Sequence, residues 1–323
     1  MPEKHIINMH VPNHGVSQSP RVIDHQVIDL ATPVQLLDHR AIEWKHVTRA
    51  HYWMEQTFEY AYPGPIHELH QRLMVIPPDQ HGDQQLSAFA LHPSLPRATV
   101  AEETDAFGNR IIRIFIPEVD ERVTFDMKLV VERDFSADHT PRLTANAAQG
   151  FLVPTHLTTP DATIEALAAR FRATHQSPEA LADAVNTWLY TTMRYGRGAT
   201  TIHTTAAEAL AIGQGLCQDY AHIMIAICRS AGIPTRYVSG HLLGEGRSHA
   251  WVEILIPDNA NTYRAVAFDP TNHRRTTPAY LTIATGRDYS DVSPTSGTFI
   301  APYPGQLHTT KRAGVTHVER QLA

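Results

Sequence analysis

Cysteine is scarce in this chain. Cys217 and Cys228 are its only two thiols among 323 residues. The apolar pattern predicts one helix across both, and its rise separates them by about 16 Å, which is too far for a disulfide. A disulfide-stapled scaffold is therefore excluded, and this cysteine usage suits a reducing compartment.

Long apolar runs and an excess of basic charge are also missing. No run approaches the roughly 18 consecutive apolar residues that a membrane-spanning helix needs. Residues 1–7 lack the basic region followed by an apolar stretch that is typical of a signal peptide. The net charge of −6 offers no basic patch for nucleic acid or an anionic membrane. We expect a cytoplasmic protein that binds neither nucleic acid nor membrane.

The composition is that of an ordinary globular protein, with 42% hydrophobic and 19% charged residues. A chain of this length is long for a single core, so we expect two domains. We predict an N-terminal extension at 1–44, a β-sandwich domain at 45–135 and a linker at 136–160. A catalytic core at 161–300 and a C-terminal tail at 301–323 follow.

Residues 45–135 consist of short strand-like runs separated by Pro, Gly and Asp. The segment at 123–132 alternates well, and 110–116 follows a turn at 105–109. Repeated short strands with such turns indicate an antiparallel β-sandwich.

After residue 160 the hydrophobic period becomes helical. Thr-Pro at 159–160 and Ser-Pro at 177–178 each predict a cap and a first-turn proline. Thr-Ala-Ala-Glu at 205–208 matches a capping box, and a further helix is predicted over 217–231. Strand-like runs at 235–242, 249–256 and 263–268 come next. Helices followed by an antiparallel sheet indicate an α+β fold.

Cys217 lies in the most informative stretch, GQGLCQDYAH at 213–222. Two glycines bring a tight loop directly into an apolar helical pattern whose first turn carries the thiol. A helix start has unpaired N–H groups and the positive end of the dipole, and both favour a thiolate. Cys228, in the middle of the same helix beside isoleucines, is expected to be a core residue.

A histidine and a carboxylate follow in the order that thiol acyl transfer requires. His249 lies in SHAWVE at 248–253, and Asp269 lies in FDPTN at 268–272. His249 begins one predicted strand and Asp269 ends the next, so in an antiparallel pair these ends are neighbours. The three residue types suit a nucleophile, a base and a group that orients the base. Asp269 can also cap the turn that follows it.

These blocks resemble the bacterial transglutaminase-like superfamily. The resemblance covers about residues 45 to 300 and includes GIPTRYVSG at 232–240 and GRDYSDV at 286–292. YPGP at 62–65 and DAFGN at 105–109 resemble the N-terminal β-domain of the family. The resemblance implies a papain/transglutaminase-like core, in which a helix-borne cysteine packs on an antiparallel sheet. It also implies catalytic roles for Cys217, His249 and Asp269.

Four other residues are candidates for supporting roles. Gln214 could help to bind an oxyanion, although the backbone N–H of the cysteine is a safer donor. Asp219 either pairs with a nearby base or stabilises the first turn of the helix. Tyr195 occupies a region where the family places an aromatic side chain, although a core position suits it better. Trp251, two residues after the histidine, is a further neighbour of the predicted site.

We predict no metal site and no cofactor. His67 and His70 do not have the metalloprotease spacing, and strand residues three apart point to opposite faces. The 21 histidines are scattered. No glycine loop matches a nucleotide-binding motif.

The sequence therefore predicts a thiol-dependent acyl-transfer enzyme that hydrolyses a peptide, isopeptide or other amide bond. Two alternatives stay open. The thioester could be transferred to an amine, as in a true transglutaminase, or the fold could be a non-catalytic binding module. A metal-binding protein, suggested only by histidine count, comes third. The substrate, the role of the β-domain and the oligomeric state are not determined by these residues.

Overall fold

The computed structural model describes residues 4–7, 23–25 and 34–321. For the first two stretches it describes only the strand pairing of the backbone. The chain folds into two compact units. Within these residues the first unit contains the chain up to Asp138, the loop Leu243–Arg247 and the chain from Ser293 onward. The second unit contains His139–Leu242 and Ser248–Val292.

The described residues up to Asp138 form nine strands of the first unit. In chain order they are β1 (Lys4–Ile7), β2 (Ile23–His25), β3 (Val47–Ala61), β4 (Ile66–Leu73), β5 (Gln80–His81), β6 (Gln84–Pro93), β7 (Thr99–Thr104), β8 (Arg110–Val119) and β9 (Arg122–Asp134).

The second unit mixes helices with an antiparallel sheet. Its elements are β10 (Arg142–Thr144), α1 (Ala145–Gln149), α2 (Ala162–Thr174), α3 (Pro178–Thr192), β11 (Arg194–Tyr195), α4 (Ala206–Ile212), β12 (Gln214–Gly215), α5 (Cys217–Ser230), β13 (Thr235–Leu242), β14 (His249–Pro257), β15 (Thr262–Asp269), β16 (Arg274–Arg275), β17 (Tyr280–Gly286) and α6 (Tyr289–Val292). The main sheet has the order β10-β15-β14-β13-β17, with β16 paired to β15.

The chain then returns to the first unit as β18 (Thr295–Ile300) and β19 (Gln306–Arg320). Two antiparallel sheets form this unit, in the orders β1-β18-β4-β8-β7 and β19-β3-β9-β6-β2. The Tyr60 hydroxyl on β3 accepts a hydrogen bond of 3.1 Å from Gln71 on β4, which joins the two sheets. The predicted α+β class with antiparallel sheets is confirmed.

The alternation seen in the sequence corresponds to one buried face of β9. Val123, Phe125, Met127, Leu129 and Val131 are all buried, whereas the residues between them are not. Successive strand side chains point to opposite faces, so this pattern places every apolar residue inward. Burial of each such side chain is worth about 1.5–3 kcal/mol relative to exposure.

The expectation that His67 and His70 point to opposite faces is wrong. The register of β4 against β18 shifts by one residue here, and Glu68 has a φ of 51°. Ile66 and Leu69 are buried while both histidines are exposed, so the histidines share a face. An inserted residue reverses the alternation on one side of a bulge. Among the residues that the structure describes, no group of three or more His, Cys, Asp or Glu side chains could hold a metal ion.

The helix starts follow from their capping residues. Ser177 caps α3 ahead of a first-turn proline, and Thr205 forms a capping box with Glu208 at α4, as predicted. α2 differs, because it begins at Ala162 and its cap is Asp161 rather than the Thr-Pro pair before it. The Asp161 carboxylate accepts a 2.9 Å hydrogen bond from a first-turn N–H, and its charge suits the helix dipole.

The division of the chain differs from the predicted boundaries at 136–160 and 301–323. β10 lies within the predicted linker and pairs with β15. β19 lies within the predicted tail and pairs along the full length of β3. Most side chains of β19 are exposed, so backbone hydrogen bonds hold this strand and its residues lack the apolar pattern that would predict it. Of the predicted extension, residues 1–3, 8–22 and 26–33 lie outside the described part.

α5 is the central helix of the second unit. Eleven of its residues are buried, including the run from Ile223 to Ile227. A helix that is buried on every side occupies the core of its unit. It packs against β13, β14, α2, α3 and α4. No helix in the described part of the chain is long and apolar enough to cross a membrane.

Arg229 holds the C-terminal end of α5. Its guanidinium donates to the carbonyl oxygens of Thr235, Val153 and Arg287 and to the hydroxyl of Thr158, over 2.7–3.2 Å. Burial lowers the pKa of Arg229 to about 10, so the group stays charged at neutral pH. A cation at this end of a helix also complements the dipole.

Replacement of Arg229 by Met should destabilise the second unit by about 2–4 kcal/mol, because several buried carbonyls lose their donors. The matched control is Arg172→Met, since Arg172 is exposed on α2 and should change stability by at most about 0.5 kcal/mol. Urea unfolding followed by circular dichroism measures both changes. Equal losses in the two variants would contradict this role.

Candidate active site

The loop before α5 is built to present the first residue of the helix. Gly213 ends α4 with a φ of 71°, a conformation that glycine adopts without strain. β12 follows and pairs in parallel with β11, and Gly196 N donates to Gly215 O at 3.0 Å. Leu216 is the extended residue before the helix, and Cys217 is its first residue. The thiol therefore lies at the N-terminus of α5, as predicted.

Asp219 fastens this loop. Its Oδ2 accepts hydrogen bonds of 2.7 Å from Leu216 N and from the Thr200 hydroxyl. A Cβ on Gly215 would lie 2.6 Å from the Asp219 carboxylate, so glycine is required there. Burial raises the pKa of Asp219, and the two hydrogen bonds oppose that shift. Of its two predicted roles, these contacts correspond to stabilisation of the helix start.

His249 and Asp269 meet at adjacent strand ends. His249 begins β14, Asp269 ends β15, and the two strands are antiparallel. His249 Nε2 lies 2.7 Å from Asp269 Oδ2, and both side chains are buried. The neighbouring strand ends that the sequence predicts are therefore observed.

Cys217 completes a chain of three side chains. Its side chain hydrogen-bonds His249. Because Nε2 of the imidazole is held by Asp269, Nδ1 is the ring nitrogen left for the sulfur. Cys217 is partly exposed, unlike Cys228, which is buried. The structure thus places a solvent-accessible thiol, an imidazole and a carboxylate in sequence.

Both ionisable partners of this chain favour their charged forms. Burial acts to lower the pKa of His249, but its hydrogen bonds with Asp269 and Cys217 outweigh burial and raise the pKa. Burial acts to raise the pKa of Asp269, but the hydrogen bond and charge of His249, with other donors, lower it. The imidazole is consequently protonated beside an ionised carboxylate at neutral pH.

Two further donors to Asp269 were not identified from the sequence. Tyr280 donates its hydroxyl to Asp269 Oδ2 at 2.6 Å, and Asn272 Nδ2 donates to the same oxygen at 2.7 Å. The backbone N–H groups of Thr271 and Asn272 donate to Oδ1. Asp269 therefore caps its turn and binds His249 at once. An Asx turn could have identified Asn272, but Tyr280 lies on another strand and has no local signal.

Trp251 is buried beside the imidazole. Its ring lies 6.3 Å from that of His249 at an interplanar angle of 27°. A Cβ on Gly240, on the neighbouring strand β13, would lie 2.4 Å from the indole and 2.2 Å from Leu281 O. Glycine at this position therefore makes room for the tryptophan that packs against His249.

Tyr195 and Gln214 contribute through β11 and β12. Tyr195 is 62% exposed rather than a core residue, because its strand lies at the surface, and its backbone pairs with Gly215. Gln214 is partly buried, and its side-chain amide lies against Gly196, where a Cβ would come within 2.7 Å. The structure brings both residues to the strand pair that leads to Cys217.

Comparison with known proteins identifies two regions. Residues 165–270 match the family described as Transglutaminase-like superfamily. Residues 52–132 match the Bacterial transglutaminase-like N-terminal region. The first region contains Cys217, His249 and Asp269, and the second lies in the first structural unit.

The chain is also similar to individual bacterial proteins. An uncharacterized protein of Mycobacterium leprae is 29% identical over 64% of this chain and 78% of its own. An uncharacterized protein of Mycobacterium tuberculosis is 34% identical over 42% of this chain and 47% of its own. The crystal structure of a candidate cysteine protease from Cytophaga hutchinsonii has a TM-score of 0.68 at 19% identity, over 84% of this chain and 93% of that one. At this identity the last likeness concerns the fold.

Replacement of Gly240 by Ala should destabilise the second unit by about 1–3 kcal/mol and displace Trp251 from His249. The new methyl group has no space, because a backbone oxygen and an indole already occupy it. Gly246→Ala is the matched control, since nothing lies within 4 Å of a Cβ there. Urea unfolding and tryptophan fluorescence measure the two effects. A Gly240→Ala protein that matches the control in both would contradict the packing argument.

The His249–Asp269 pair should make stability depend on pH. Because folding raises the pKa of His249, its contribution is full below the unfolded pKa of about 6.5 and is lost as pH rises through the folded value. Because folding lowers the pKa of Asp269, its contribution is present above about 3.9 and is lost as pH falls through the folded value. The native protein should therefore exceed His249→Gln in unfolding free energy by more at pH 6 than at pH 10. Equal differences at both values would count against the pair.

Proposed function

Since residues 165–270 belong to the transglutaminase-like superfamily, we propose that this protein is a thiol-dependent acyl-transfer enzyme. Cys217 is the nucleophile, His249 the general acid and base, and Asp269 the group that orients His249. The observation that carries the proposal is the hydrogen-bonded chain from Cys217 through His249 to Asp269 at the start of α5. The reaction is hydrolysis of a peptide, isopeptide or other amide bond.

The charge state of the site supports attack by a thiolate. An imidazolium beside the thiol, together with the positive end of α5, stabilises the anionic sulfur. The sulfur attacks the carbonyl carbon of an amide and forms a tetrahedral intermediate with a negatively charged oxygen. His249 is also the base that accepts the thiol proton when the thiolate forms, so no second base is needed.

The helix start supplies a donor for that oxygen. The N–H groups of Asp219 and Tyr220 donate to Leu216 O, and these are the first hydrogen bonds of the helix. The N–H of Cys217 therefore precedes the hydrogen bonds of the helix, and it can donate to the oxyanion. The bonds that Leu216 O accepts from Asp219 N and Tyr220 N fix the direction of the Leu216–Cys217 peptide group.

His249 then donates its proton to the nitrogen of the leaving amine, and the C–N bond breaks to leave a thioester on Cys217. Water, deprotonated by His249, attacks the thioester and releases the acid and the free thiol. A primary amine in place of water would give transamidation by the same steps. Only the access of water and amine to the thioester separates the two outcomes.

Iodoacetamide should alkylate Cys217 several-fold faster than a free thiol below pH 7, because the imidazolium of His249 and the start of α5 favour the reactive anionic sulfur. Cys228 should not react, since burial raises the pKa of its thiol to about 12. Mass spectrometry across pH 5–9 identifies the alkylated cysteine and measures the alkylation rate in the native protein, Cys217→Ala and His249→Ala. Cys228→Ala is the matched control and should behave as the native protein does.

Loss of His249 should slow amide cleavage by about 10²–10⁴-fold, and Cys217→Ala should abolish the covalent thioester. A glutamine-containing peptide, assayed with and without a primary amine, separates hydrolysis from transamidation by its products. Alkylation of Cys217 at the rate of a free thiol, together with no thioester, would support a binding module instead. Full activity of Cys217→Ala would overturn the proposal.

A further inference from the structure

We propose that Tyr280, oriented by Arg274, is a positioning residue that keeps Asp269 ionised and aligned with His249. The inference rests on the proposed function and assigns a role to two residues outside the three-residue chain. It is carried by the convergence of hydrogen-bond donors on one buried carboxylate oxygen.

That oxygen is Asp269 Oδ2. It accepts from His249 Nε2 at 2.7 Å, from Asn272 Nδ2 at 2.7 Å and from the Tyr280 hydroxyl at 2.6 Å. Asp269 has no solvent exposure. A carboxylate in such a place is costly unless protein donors replace water, so each of the three has a large effect on its ionisation. His249 comes from β14 and Tyr280 from β17, whereas Asn272 lies in the turn that follows Asp269.

Arg274 determines the direction of the Tyr280 hydroxyl. Its Nε donates to the Tyr280 oxygen at 2.8 Å, and a guanidinium has no acceptor. A phenol has a single proton, so with Arg274 on its lone pair this proton is directed to Asp269. The positive charge also polarises the O–H group and strengthens the bond that it makes. The two residues act in series, from cation to phenol to carboxylate.

Packing holds the phenol in place. The Tyr280 ring meets Trp251 edge to face at 5.3 Å and lies 6.0 Å from the His249 ring. Burial and the neighbouring charge of Asp269 raise the pKa of Tyr280, so the hydroxyl keeps its proton over the working range of pH. The donors to this carboxylate are thus the His249 cation and four neutral groups, and the second cation, Arg274, acts on it through the phenol.

A purely structural tyrosine and a positioning tyrosine differ in what Tyr280→Phe changes. Phenylalanine preserves the packing against Trp251 and removes one donor. If Tyr280 supports the charge of Asp269, the carboxyl of that residue should titrate about one pH unit higher in the variant. Arg274→Met should give a smaller shift in the same direction, because the phenol remains but is less polarised.

The experiment is carbon-13 NMR of the full chain with labelled aspartate carboxyl groups. The Asp269 signal is assigned by its loss in Asp269→Asn. Tyr62→Phe is the matched control, because Tyr62 is buried in the other unit and its hydroxyl has no partner among the described residues. The same proteins are alkylated with iodoacetamide at pH 6, where Tyr280→Phe should react about 3–10-fold more slowly at Cys217.

The outcomes separate this inference from the proposed function. An upward shift of Asp269 in Tyr280→Phe, absent in Tyr62→Phe, supports the role of Tyr280. An unchanged titration overturns it, even if Cys217 is fully reactive and the proposed function stands. If native Cys217 reacts only like a free thiol, the proposed function fails, and the NMR titration still decides whether Tyr280 supports the charge of Asp269.

Discussion

The candidate active site depends on a carboxylate that has no solvent exposure. Asp269 can be ionised there only because five protein groups donate to it, and they come from three different segments. One is the imidazole of His249, which gains its own charge from the same contact. The register of β14 and β15, the turn at 269–272 and the position of β17 must all be correct for this arrangement to exist. A one-residue slip in any of them would leave a buried charge without donors.

The other half of the site depends on the two ends of α5. At its start, Cys217 is placed in the first turn by the glycine loop, by the β11–β12 pair and by the Asp219 carboxylate that binds Leu216 N. At its end, Arg229 ties the helix to four other segments through neutral acceptors. Because the helix between them is buried on every side, it is held firmly against the sheet. The packing of the whole 14-residue helix therefore holds Cys217 in a fixed position.

Sequence reasoning worked best where the signal is local. The start of α5, the caps at Ser177 and Thr205 and the strands that carry His249 and Asp269 all lie where they were expected, because each rests on neighbouring residues. It was wrong where geometry departs from a regular period. The bulge at Glu68 places His67 and His70 on the same face of β4. The exposed strand β19 has little apolar pattern to detect.

Adjacent residues are enough to indicate the α+β class, the family motifs and the order of thiol, imidazole and carboxylate, because caps, hydrophobic periods and motifs are local features. Which other side chains complete the site depends on contacts between segments that are distant in the chain. Tyr280 on β17 donates to Asp269 on β15, and Gly240 on β13 leaves space for Trp251 on β14. The last two strands belong to the first unit although they follow the second in the chain. Such contacts depend on strand order and register, and these are set by packing across the whole sheet rather than by any local stretch of chain.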